Sequence, residues 1–453
     1  MPGHRLGGVR AAATLADLGF AGFAAGVIAR RRRMMGILER TQADGRAVRR
    51  MHALRDEFGS GPVELVLPGR RVVVVTDPAD VGRVLAQAPS PFDPANREKR
   101  AALRQFQPHG VLISEGPIRK ERRAVNEAAL ETGRPLHRLA TPFAEVIADE
   151  AARMLAAASS TGTLDAAQFT TAWWRLVRRL VLGSSAREDH DITDRLWQLR
   201  SAANWSFLVP QRRRSGEKFS ESLYRYAESA EKDSLLGALT EVSASGATDP
   251  VGQVPHWLFA FDAAGMALSR AVALLATHPD QRAAAVAEAQ HATTPATLPY
   301  LRACVLESVR LWPTTPLILR DVTEDTAWRD DEQRFTTEAG AALLIAAVAF
   351  HRDPRSLPFA DDFVPDIWLD GRAKDYPQLV PFSAGPAACP GQDLVLFVTS
   401  TLLGEMLRAA RFELTSTPSL DPSTPLPFTL NNFGLEFRVE SRHDAPILNK
   451  SMS

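Results

Sequence analysis

Cysteine is almost absent from this chain: 453 residues contain two, Cys304 and Cys389. A pair so far apart excludes a disulfide framework and fits a reducing cytoplasm, so each thiol needs its own explanation. An excess of charge of one sign is lacking too. Lys plus Arg and Asp plus Glu both number 53, and nothing marks the whole surface for nucleic acid. No Ser/Gly linker or long charged block divides the chain, so one large domain is expected where length alone would allow two or three. A strongly apolar run of about 20 residues near the N-terminus is also missing. The stretch Ala11 to Ala29 precedes Arg30 to Arg33 but holds Asp17 and much Ala and Gly. It reads as a helix packed on the body with a solvated Arg run, with no stable membrane span and no Leu-rich signal peptide.

What is present, 45% apolar and 23% charged residues, describes an ordinary soluble protein with ample core. The pattern predicts a mainly α chain with small β-sheets. Glu39 to Phe58 reads as a helix, and Val63 to Leu67 with Arg71 to Thr76 as a hairpin around Pro68-Gly69. Thr76-Asp77-Pro78 opens a helix over Ala79 to Gln87. Residues 88 to 114, with Pro89, Pro91, Pro94 and Pro108, read as a long irregular loop of the kind that carries function. Apolar stripes then predict helices over Arg119 to Leu130, Pro142 to Ala158, Leu164 to Leu182, Asp189 to Trp205 and Gly216 to Leu239. Thr248-Asp249-Pro250 caps a helix that is apolar nearly all round from Val254 to Ala276 and belongs at the centre of the domain. Asp262 sits in it, and a lone buried carboxylate costs several kcal/mol unless paired or hydrated. The alternatives are a functional acid and an Asp paired with an Arg. Helices over Pro279 to Gln290 and Leu298 to Leu311 follow, then strands at Ile318-Leu319 and Ala341 to Ala347. A Pro- and Asp-rich coil fills 351 to 381, and Phe412 to Leu414 with Gly434 to Val439 closes the chain as a hairpin.

Chemistry concentrates in Pro381-Phe382-Ser383-Ala384-Gly385-Pro386-Ala387-Ala388-Cys389-Pro390-Gly391. A thiol on a tight loop entering the helix Asp393 to Leu407 feels the positive end of the helix dipole, which favours thiolate and metal ligation. Gly385 and Gly391 remove bulk, so a large flat group can approach the sulfur. The plainer alternative makes them turn formers and Phe382 a core aromatic. Upstream, Glu307 and Arg310 stand at i, i+3 on one helix face.

In that order, the acid-bearing helix, Glu307-x-x-Arg310 and Phe382-x-x-Gly385-x-x-x-Cys389-x-Gly391 resemble the cytochrome P450 family, of its bacterial, soluble type. The resemblance runs from about residue 35 to 440. It implies an α-rich prism with haem b between the long central helix and the cysteine helix. The division is then an N-terminal extension at 1–34, one catalytic domain at 35–445 and a tail at 446–453. Cys389 would be the axial thiolate. Glu307 and Arg310 would lock the fold, although Pro365-Asp366-Ile367-Trp368 lacks the Arg that completes the family's network. Arg123 and Arg320 match propionate donors; Arg119 stands where a Trp or His is usual, and Ala387 replaces the loop's own donor, with His109 a substitute. In the family an acid followed by Thr delivers protons for dioxygen chemistry. Here Asp262 is followed by Ala263, which has no hydroxyl. Substrate contacts are implied for Phe106, Leu112, Ile113, Phe259, Pro316, Leu317, Ile318 and Phe433, each of which reads equally as core. Cys304 matches no ligand position and reads as a small buried apolar residue. The expected activity is monooxygenation of a small, largely apolar molecule in the cytoplasm, with electrons from NAD(P)H through a separate ferredoxin or flavodoxin and its reductase. A peroxide-driven, isomerising or coupling haem-thiolate enzyme is the rival, and a non-catalytic haem protein a further one.

Overall fold

The computed structural model describes residues 4–59, 61–293, 295–329 and 334–442. Its largest sheet has six strands, in the spatial order Arg5–Gly7, Val63–Leu67, Arg70–Val74, Ala342–Ala346, Leu317–Val322 and Phe92–Asp93. The expected hairpin forms, with Val63 opposite Val74 and Leu67 opposite Arg70. Gly69 supplies the positive φ of 72° that the tight turn requires. Ala342–Ala346 lies parallel to Arg70–Val74 and is buried throughout, as an unbroken apolar strand should be. A three-stranded sheet joins Ala410–Leu414 and Glu436–Ser441, the expected closing pair, to Thr163–Asp165.

Helices make up most of the rest, and three expected segments are redrawn. Glu39 to Phe58 is two helices, Arg32–Arg40 and Gly45–Phe58. Between them Gln42 takes φ 46° and its amide donates to the carbonyls of Glu39 and Thr429, so tertiary bonds override helical propensity. Gly216 to Leu239 divides into Arg213–Glu228 and Leu235–Thr240, the second capped by Ser234, whose Oγ accepts from the Gly237 amide at 3.0 Å. Residues 88 to 114 are not wholly irregular. They contain the edge strand Phe92–Asp93 and a helix, Arg97–Leu103.

The N-terminal helix spans Gly8–Ala25 and packs on the body as expected, following a strand that pairs with Val63–Leu67. Its Asp17 accepts from Arg50 Nε at 2.8 Å. The Arg run departs from the solvated expectation. Arg30 donates to the Thr314 carbonyl at 2.8 Å, and Arg31 lies 4.7 Å over the Trp205 ring. Arg32 and Arg33 alone are exposed.

The central helix runs from Val254 to Thr277. Among the described residues, Gly246–Thr277 is the one helical stretch long and apolar enough to cross a membrane, and most of it is buried inside the fold. Trp173 approaches Gly265 so closely that a Cβ there would meet the indole at 2.6 Å, and its Nε1 donates to the Phe261 carbonyl at 2.8 Å.

Behind that helix lies the ion pair. Glu307 and Arg310 have no exposed side-chain surface and form a bidentate pair, with Nε to Oε2 at 2.8 Å and an Nη to Oε1 at 2.6 Å. The remaining guanidinium donors reach the carbonyls of His351, Phe359, Ala360 and Asp362. The place left by the absent Arg is taken by an indole: Trp368 Nε1 donates to Glu307 Oε2 at 2.9 Å, beside the Val364 amide at 3.0 Å. A buried carboxylate is thereby satisfied by one cation and two neutral donors.

Candidate active site

The cysteine loop is fixed from three sides. The Cys389 amide donates to the Phe382 carbonyl at 2.9 Å, closing the turn over the thiol. Arg123, from the helix Gly116–Leu130, donates to the Ala388 carbonyl at 2.7 Å while its Nε pairs with Glu127. Thr132 donates to the Pro390 carbonyl at 2.8 Å, and Asp393 accepts from the Gly133 amide. The cysteine helix begins at Gln392 and continues to Ala409.

The two glycines meet different protein surroundings. At Gly385, φ is 66° and a Cβ would lie 2.1 Å from the Leu85 carbonyl oxygen. It therefore makes room for the end of the helix Pro78–Ala86. Gly391 has an ordinary φ of −95°, and a Cβ there would meet Leu130 Cδ1 at 3.7 Å, a normal contact. Gly385→Ala is expected to cost about 1–3 kcal/mol or more, whereas Gly391→Ala stays near the parent. Thermal unfolding of the two variants side by side checks this, and equal losses would contradict it.

Helix entry alone does not set the thiol's state. Burial pushes the Cys389 thiol up, while the Gly391 amide and Arg123 pull it down. The net direction is upward, against the expected thiolate; a metal ion that displaces the proton would reverse it. Cys304 is fully buried, and burial with Glu288 and Glu307 raises its thiol further, which leaves it an inert core residue.

Beside the loop stand buried cations. Arg320, on Leu317–Val322, is 3% exposed; it donates to the Leu319 carbonyl and at 3.5 Å to Ser383 Oγ, and its Nε has no partner. Burial, then Arg119, lowers it to about 10. Arg119 is also buried and donates to the Val111 carbonyl at 3.0 Å. Lys99, which the sequence reading passed over, is pushed down to about 7, first by burial and then by Arg320 and Arg119. His109 is not with them. Its ring is exposed and Nδ1 sits 2.6 Å from Asp249 Oδ2, so it is committed to a carboxylate.

The central helix presents two stripes. His256, Phe259, Ala260 and Ala263 all keep partial exposure at i, i+3, i+4 and i+7, the spacing of one helical face. His256 is enclosed by protein, lowered to about 4 by burial and Lys99, and has an unpartnered Nδ1. His256, Lys99 and Cys389 are all largely enclosed by protein and yet keep some accessible surface. Phe259 meets Phe106 and His256 edge-on, each at 5.7 Å. Leu112 and Ile113 are half-buried nearby in the same core.

The other stripe, Asp262, Gly265, Met266 and Ser269, lines a half-open cavity of about 370 Å³ whose lining includes neither Cys389 nor the cations. Asp262 is not a lone acid: Arg200 donates to its Oδ2 at 2.5 Å and also lies 4.7 Å over the Phe259 ring. Consecutive helical residues differ by about 100° in direction, so Asp262 and Ala263 serve different faces. Phe433 belongs to this second cavity, under Arg32. Pro316 and Leu317 meet the N-terminal helix instead, where a Cβ on Gly22 or Gly19 would touch them at 3.2 and 3.5 Å. Ile318 is buried in the core of the large sheet.

An orphaned Arg donor and crowded cations beside a partly accessible loop thiol fit a large group bearing carboxylates, such as haem. Residues 259–436 match the family model described as Cytochrome P450. The chain is 32% identical to "Probable cytochrome P450 4s3" of Drosophila melanogaster over 169 residues, 36% of this chain and 33% of that protein. It is 25% identical to "Cytochrome P450 4A24" of Sus scrofa over 258 residues, 55% and 48% of the two chains. With "Cytochrome P450 4V2" of Homo sapiens it shares 35% identity over 113 residues, 24% and 21%. The chain thus aligns with less than half the length of each of these relatives. All three are animal proteins, and the expected bacterial grouping is not borne out.

Proposed function

As this chain belongs to the cytochrome P450 family, whose proteins bind haem b, we propose that it is a haem-thiolate monooxygenase acting on a small, largely apolar molecule. The observation that carries this reading is the Cys389 thiol on a braced loop beside buried Arg119 and Arg320. Haem, when bound, supplies activation of dioxygen at its iron. Cys389 Sγ holds the metal and sets its electronic character. Arg119 and Arg320 would hold the propionates, with the Arg320 Nε as the unmet donor, while Arg123, matched to the same role by the resemblance, is already engaged by the Ala388 carbonyl and Glu127. Phe106 and Phe259, with Leu112 and Ile113, shape an apolar space that orients substrate and excludes water. With two cysteines the chain cannot supply the four thiolates of an ordinary iron–sulfur cluster, which supports electrons arriving from NAD(P)H through a separate ferredoxin or flavodoxin. The two unpaired thiols support a cytoplasmic setting.

A specific observation favours a second reading, a peroxide-driven enzyme. Ala263 offers no hydroxyl, and the acid beside it is tied to Arg200 on another face of the helix. Oxygen chemistry started from dioxygen needs protons delivered; starting from peroxide needs fewer. The test compares product formed with NAD(P)H and a surrogate redox partner against product formed with hydrogen peroxide. Partner-driven product is the expected result. Product with peroxide alone would transfer the assignment to the second reading, and a protein that takes up no haem would end both.

A further inference from the structure

We propose that Lys99 is a third haem-propionate partner in this chain, standing in for the loop donor that Ala387 lacks. The inference rests on the haem-thiolate reading above and concerns a residue outside every motif that led to it. Strand pairing builds the site. Phe92 and Asp93 lie opposite Val322 and Asp321, so the chain enters Pro94 beside the strand that carries Arg320. Lys99 Nζ donates to the Pro94 carbonyl at 2.6 Å, and its ammonium feels the charges of Arg320 and Arg119. Two cations do not approach one another in a protein interior without something to hold them there.

Among the described residues, protein groups supply it only in part. Of the two carboxylates that act on Lys99, Asp321 is already ion-paired with Arg70 at 2.5 Å and accepts the Arg97 amide at 3.0 Å. Glu98 is likewise shared between Arg70 and Asn96. Asp93 remains, itself accepting the Ala95 amide and facing Lys99, Arg119 and Arg320 together, so one carboxylate serves three cationic groups. A haem carries two propionates. The alternative loop substitute, His109, is held by Asp249. His256, the other titratable group near Lys99, stays neutral and adds no charge.

This assignment makes opposite predictions for the two forms of the protein, which a merely structural lysine would not. In the haem-free protein Lys99 shares Asp93 with two guanidinium groups and is already disfavoured as a cation by burial, so Lys99→Met leaves stability unchanged or raised. In the haem-loaded protein the same change removes a charge-assisted bond, and haem loss to an excess of haem-scavenging apoglobin quickens about 10- to 100-fold. Lys99→Arg, which keeps the cation, restores slow loss. Three outcomes would overturn the proposal: Lys99→Met losing haem at the parent rate while Arg320→Met loses it faster; Lys99→Met destabilising both forms equally with no rescue by Arg; or Lys99→Met quickening haem loss without rescue by Arg. A parent protein that takes up no haem would overturn the functional reading as well, so the two failures are told apart.

Discussion

Glu307→Ala is expected to lower the unfolding free energy by about 3–5 kcal/mol, the cost of removing one partner of a buried pair. The loss is large because one substitution leaves three groups unmet. Arg310 keeps its bonds to four carbonyls but loses the only carboxylate facing its Nε. The Trp368 indole and the Val364 amide lose their acceptors at the same moment. Trp368→Phe removes one neutral donor and is expected to cost about 0.5–1.5 kcal/mol, because the remaining partners of Glu307 stay in place. Urea unfolding followed by circular dichroism measures both. If Trp368→Phe cost as much as Glu307→Ala, the indole rather than the ion pair would be the centre of the network.

That network also shows how far one chain of letters can be read. Glu307 and Arg310 were legible because both lie on one helix, where the i, i+3 spacing is geometry in itself. Trp368 was not, since its indole reaches Glu307 from 61 residues away across a coil whose turns have no periodicity. The same divide runs through the site. The Cys389 loop could be read because its thiol, turn residues and following helix are contiguous. Lys99 could not, because its neighbours are assembled by pairing Phe92–Asp93 with a strand more than 200 residues later. Asp262 was recognised as an acid in an apolar helix, but its partner Arg200 lies 62 residues earlier on another helix. His109 was assigned by residue type alone, and its commitment to Asp249, 140 residues on, was invisible. Helix interiors were well placed while their breaks were not, since the turn at Gln42 depends on Thr429. Local pattern reports elements; charge pairing across elements decides roles.

Cys389→Ala tests the step on which the functional reading stands. The reduced, carbon monoxide-bound parent is expected to show the red-shifted Soret band of a thiolate-ligated haem, and the variant to lose that shift entirely. Haem affinity should fall by at least the about 10–100-fold that losing an outer partner of a metal ligand costs. Retention need not vanish, because Arg119 and Arg320 remain to hold carboxylates. A variant that still binds some haem without the shifted band therefore separates ligation from capture. Cys304→Ala is the control: its thiol is buried in the core, one turn from Glu307, and its loss should leave the spectrum unchanged at a modest cost in packing. A shifted band that survives Cys389→Ala, or disappears in Cys304→Ala, would move the iron to a different sulfur and with it the assignment of the loop. Metal ligation needs the deprotonated sulfur, and burial opposes ionisation of the Cys389 thiol while no metal is bound. Haem uptake by the parent should then release a proton that uptake by Cys389→Ala does not.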